Sequence, residues 1–82
     1  MRTIMLDGSL YTTREEVHSA LKSMLNLPSY YGMNADALHD CLSESSEQVN
    51  LWIASKGEGE AAEAVSLCAR VIEDLGGTVK EI

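Results

Sequence analysis

Hydrophobic positions in this chain change period several times, and each change marks an element. Residues 3–7 are a short run of β-branched and aliphatic side chains that stops at Asp7-Gly8, a turn signal, so they predict a strand. From Thr13 the spacing becomes helical. Thr13 and Glu16 have the separation of a capping box, and Val17, Leu21, Met24 and Leu25 then recur at i, i+4, i+7 and i+8. This predicts a helix that ends near Asn26, because Pro28 disfavours helical geometry at Leu27.

Residues 27–33, Leu-Pro-Ser-Tyr-Tyr-Gly-Met, read as a loop that holds two of the three tyrosines and the single proline. Either tyrosine can pack under such a loop or project from it, since the ring is apolar and the hydroxyl polar. Asn34 is a favourable N-cap, and Asp36 in the next turn suits the positive end of a helix dipole. At 100° per residue, Leu38, Cys41 and Leu42 then form an apolar stripe, with Asp36, His39, Asp40 and Ser43 gathered opposite. After a Ser- and Glu-rich connection, residues 49–53 (Val-Asn-Leu-Trp-Ile) predict a buried strand, and residues 56–59 a turn. Ala61, Val65, Cys68, Ile72 and Leu75 keep one helical stripe, Gly76-Gly77 supplies a left-handed stop, and residues 78–82 form a last strand.

The predicted order is β-α-α-β-α-β. Helical crossovers between strands favour parallel pairing and right-handed connections, so the expected fold is α/β, a small three-stranded parallel sheet covered by three helices. With 82 residues and no internal repeat, the whole of residues 1–82 is expected to form a single domain.

Charge narrows the possible partners. The chain carries 13 Asp and Glu against 6 Lys and Arg, a formal net charge of −7, yet 45% of its residues are hydrophobic, enough for a folded core. An acidic surface repels a phosphate backbone, because nucleic-acid affinity comes mainly from cations that displace counterions. Direct nucleic-acid binding is therefore not expected, and a basic protein is the natural partner. Asp7-Gly8 interrupts the first apolar run too early for a signal peptide, and no segment approaches the ~20 apolar residues of a membrane span. The chain is expected to be cytoplasmic, with no membrane contact. Cys41 and Cys68 have neither disulfide-framework nor zinc spacing and are read as reduced core residues.

Candidate chemistry is sparse. On a helix, His39 and Cys41 point about 200° apart, out of reach as base and nucleophile. His18 has no evident sequence partner and is expected at the surface or its boundary. The two His and two Cys match no metal-site spacing, and Gly57 and Gly59 precede Glu60 rather than a phosphate-loop lysine. Asp36 and Asp40, four residues apart, read more naturally as a solvated helix face than as a general acid and base. No catalytic residue, metal or cofactor is assigned, and the chain is not read as an enzyme.

The segment 27–42, about a fifth of the chain, resembles the signature of the barstar family, intracellular inhibitors of barnase-type ribonucleases. The likeness lies in Tyr30-Tyr31-Gly32-Met33-Asn34-Ala35-Asp36-Ala37-Leu38 followed by Asp40-Cys41-Leu42. It implies that the loop and the exposed face of the second helix block the catalytic groove of a basic, extracellular-type ribonuclease. Tyr30, Gly32 and Asn34 would touch the enzyme from the loop, and Asp36, His39, Asp40 and Ser43 from the helix. Asp40 would stand where a substrate phosphate binds, meeting Arg and His side chains through charge-assisted hydrogen bonds. Glu73 is matched to the family's acidic contact from the last helix. The free chain is expected to be a monomer.

The chain departs from the family at three places. His39 replaces a contact tryptophan, the connection after Ser43 lacks a Trp and a Pro, and residues 54–60 leave no room for an extra helix. These differences favour a different cognate nuclease, since specificity is a difference of affinities. Two other readings stay open on sequence: an immunity or antitoxin protein for a non-ribonuclease toxin, and a barstar-like interaction domain without a nuclease partner.

Overall fold

The structure is a computed structural model and describes residues 2–45 and 48–82. Met1 and two residues of the Ser- and Glu-rich connection, Ser46 and Glu47, lie outside that description. Strand β1 (Arg2–Asp7) runs through a single 3-10 turn (Gly8–Leu10) into helix α1 (Arg14–Leu25), followed by α2 (Ala35–Ser43). Strand β2 (Val49–Ser55), helix α3 (Gly59–Asp74) and strand β3 (Thr78–Glu81) complete the chain. The expected order and the three-stranded parallel sheet are both present, with β2 in the centre. The 3-10 turn is an addition. Asp7 caps it by accepting from the Ser9 N–H at 3.0 Å.

Alternation along the strands sorts the sheet into two faces. Ile4 and Leu6 of β1, with Val49, Leu51 and Ile53 of β2, point into one core with the buried sides of α1, α2 and α3. Leu6, Val17, Leu21, Leu38, Leu51, Val65 and Cys68 are wholly inaccessible. All three helices therefore cover the same side. The other face is bare, which is uncommon for parallel strands. Two cross-strand rows line it: Thr3, Asn50 and Thr78, then Met5, Trp52 and Lys80. The first row is a polar ladder, because Asn50 accepts from the Thr78 hydroxyl at 2.6 Å and donates to that of Thr3 at 3.4 Å.

Local chemistry sets the element ends. The capping box at α1 is formed, with Thr13 accepting from the Glu16 N–H and Glu16 accepting from that of Thr13. Asn26 closes the helix in the left-handed region at φ 53°. At the far end of α3, Gly76 takes φ 89° and Gly77 N–H donates to the Ile72 carbonyl at 2.9 Å, the left-handed stop expected there. Where β1 and β2 end, the backbones of Gly8 and Gly57 meet: a Cβ on Gly8 would sit 2.1 Å from the Lys56 carbonyl oxygen. Only three residues separate β2 from α3, so no further helix stands between them.

One expectation is overturned. His18 is not a surface residue; it is 3% exposed and packs in the core. Its position explains this: it precedes Leu21 and Leu25 by three and seven residues, on the edge of the buried stripe of α1. The cysteines are both free, Cys68 fully buried and Cys41 partly so.

Candidate partner-binding site

Asn34 organises the start of the site. Its Oδ1 accepts from the Ala37 N–H at 2.8 Å, capping α2, while its Nδ2 donates to the Gly32 carbonyl at 3.3 Å. Loop and helix are thereby joined at one side chain. Gly32 also lies against the first turn of α2, since a Cβ there would be 3.2 Å from that of Ala37. Burial of Leu38, with Cys41 and Leu42 partly buried beside it, fixes the rotation of α2. Asp36, His39, Asp40 and Ser43 consequently all face outward and are exposed.

The two adjacent tyrosines part company. Tyr30 is 75% exposed, whereas Tyr31 is 5% exposed and reaches inward. The Tyr31 hydroxyl lies 2.5 Å from Nδ1 of His18 and 3.5 Å from the Asn34 carbonyl. Cys68 Sγ approaches the same Nδ1 at 4.0 Å. Burial lowers the pKa of His18, partly opposed by the nearby Glu15 carboxylate, and raises that of Tyr31. It pushes the Cys68 thiol up to about 12. All three groups are thus held neutral near pH 7, as a packed anchor for the loop rather than a reactive set.

The outward face is electrostatically unsatisfied. The carboxylates of Asp36 and Asp40 make no hydrogen bond or ion pair with any described residue, and Ser43 spends its hydroxyl on the Asp40 carbonyl at 3.0 Å. Glu44, at the C-cap, extends the series to i, i+4 and i+8, a residue the sequence reading missed although its spacing from Asp40 was visible. No basic side chain stands in the last turn of α2, so Asp40 and Glu44 sit unneutralised at the negative end of the helix dipole. Glu73 is placed apart from this face. It lines a groove with Lys56, Arg70 and Glu81 on the flank of α3 towards β3. Among the described residues, no group of three or more His, Cys, Asp and Glu could hold a metal ion, and no helix is long and apolar enough to cross a membrane.

A sequence profile of the family described as Barstar (barnase inhibitor) matches residues 1–78. The chain belongs to the barstar family. Among curated proteins it is 49% identical over 43 residues to the Bacillus subtilis (strain 168) protein named "Putative ribonuclease inhibitor YrdF". The aligned stretch is 52% of this chain and 47% of that protein, about half the length of the relative it matches. Within the barstar framework, the exposed carboxylates of Asp36 and Asp40 stand beside the exposed Tyr30 on one side of this chain.

Proposed function

We propose that this barstar-family protein inhibits a basic ribonuclease of the barnase type by filling its catalytic groove with α2 and the loop before it. The observation that carries this reading is the pair of exposed, unpartnered carboxylates, Asp36 and Asp40, on one face of a capped helix beside the exposed Tyr30. A cleft built to hold phosphates presents Arg, Lys and His, and a carboxylate of fixed position can accept charge-assisted hydrogen bonds from them. Tyr30, Gly32, Asn34, His39 and Ser43 surround those carboxylates as neighbouring contacts, and Glu73 is a peripheral one. The partner is an extracellular-type enzyme that the inhibitor meets in the cytoplasm, as an immunity protein, and the free inhibitor is a monomer. His39 in place of the family's tryptophan favours a cognate enzyme with a different pocket opposite α2.

Titration calorimetry against barnase and a panel of basic bacterial ribonucleases of that type, with nuclease activity followed in parallel, tests the reading. One-to-one binding with loss of activity for at least one enzyme is expected. Absence of binding to every member would overturn it.

A further inference from the structure

Resting on that reading, we propose that the contact with the ribonuclease continues beyond the Tyr30 loop into a groove between α1, the loop and α3, where it receives a Lys or Arg side chain of the enzyme. The groove has a volume of about 530 Å³, and Gly32 and Asn34 form part of its wall. Those two residues also belong to the proposed interface, so the surfaces are continuous.

The lining combines an apolar ledge with free negative charge. Leu67 is 45% exposed although Ala64 and Cys68 beside it on α3 are buried. Met33, in the left-handed region at φ 59°, is on the loop side of the groove. Three carboxylates, Glu15, Glu60 and Glu63, line the groove against one guanidinium, that of Arg14. Glu60 is committed to the Arg14 backbone N–H at 3.0 Å and Glu15 lies 3.6 Å from the Arg14 side chain. Glu63 makes no hydrogen bond or ion pair with any described residue.

His18 contributes to the lining from within the core. Its Nδ1 is engaged by Tyr31, while Nε2 has no partner among the described residues. No fully enclosed side-chain nitrogen or oxygen among the described residues is unsatisfied, so Nε2 opens onto the groove that His18 lines. Burial keeps this imidazole neutral, and it does not oppose a cation. Long basic side chains lay their methylenes on apolar surface and keep the charged head among acceptors, which is what Leu67 and Glu63 together offer. A partner selected for its positive charge is the source of such a side chain.

The test measures binding of the full-length protein to the same ribonuclease panel, with Glu63→Gln, Leu67→Ala, Asp40→Ala and, as a charge control away from the groove, Glu81→Gln. Thermal melts confirm that each variant is folded. Glu63→Gln and Leu67→Ala should each weaken binding about five- to tenfold, the size of an ordinary net hydrogen bond for the first and of partly lost apolar burial for the second, while Glu81→Gln stays within about twofold of the parent. Binding that depends on Asp40 but changes less than about twofold for either groove variant, or equally for Glu81→Gln, would overturn the groove and leave the proposed function intact. Failure of the parent protein to bind any ribonuclease would overturn both.

Discussion

The hydroxyl of Tyr31 lies 2.5 Å from Nδ1 of His18, and this buried contact ties the exposed loop to α1. The neighbouring residue, Tyr30, is the one left in solvent. One tyrosine therefore holds the loop so that the other can be offered in a fixed position. Replacing Tyr31 by Phe leaves the buried imidazole without its partner, a loss of about 1–3 kcal/mol. Denaturant unfolding should show a lower midpoint with little change in slope. Binding to the ribonuclease should weaken as well, because the loop must then be ordered on association. An unchanged unfolding midpoint would show that the hydrogen bond contributes nothing to the anchor.

The same anchor makes stability depend on acidity in a defined direction. Burial lowers the pKa of His18 in the folded state, so the unfolded chain binds the proton first as pH falls. The stabilisation is fully present above the unfolded value of about 6.5 and is lost as pH falls from there towards the folded value. His18→Gln should remove that part of the pH dependence. Urea unfolding of the two proteins across this range measures the difference, and parallel curves would rule out the titration of His18 as its source.

Asp40 links the proposed contact to a structural cost. It stands in the last turn of α2, where no basic side chain compensates it. Asp40→Ala should stabilise the free protein slightly, by about 0.3–1 kcal/mol, since a negative charge leaves the negative end of the helix dipole. The same change should weaken the complex by about 3–5 kcal/mol, if the enzyme's cation is left buried and unpaired. Opposite signs in melting and calorimetry are the expected signature. A binding loss of a few tenths of a kcal/mol would remove Asp40 from the centre of the interface.

What could be read in the sequence was what depends on near neighbours. The capping box of Thr13 and Glu16, the Asn34 cap and the Gly76 stop are each decided within a few residues, and they stand where the spacing put them. The outward set Asp36, His39, Asp40 and Ser43 follows from helical period once Leu38 is buried. Contacts between distant segments were not legible. His18 is buried because Tyr31 and Cys68 come to it from two other elements, and nothing in sequence chose Tyr31 over Tyr30 for that role. The bare face of the sheet was likewise missed as a whole, although the alternation of Thr3 and Met5, and of Asn50 and Trp52, carries it. The register of the glycine pair after Glu73 does not fix its match to the family's acidic contact, and the groove it lines with Lys56 and Arg70 is formed by segments far apart in sequence.

His39 bears on which enzyme fits the proposed contact face. Its ring is exposed between Asp36 and Asp40 on that face, with Glu44 the next carboxylate along the helix and Tyr30 on the adjoining loop. An imidazole covers less apolar area than the family's tryptophan, and large aromatic anchors carry a disproportionate share of binding energy at interfaces. Specificity is a difference of affinities, so exchanging this one side chain should change the ranking of enzymes rather than abolish binding. His39→Trp should strengthen binding to barnase and weaken binding to the ribonuclease that the parent protein prefers. The unfolding midpoint should stay nearly unchanged, because the side chain is exposed. Calorimetry of the parent and the variant against both enzymes measures the change. Equal shifts with both enzymes, or none, would show that His39 does not set the choice of partner.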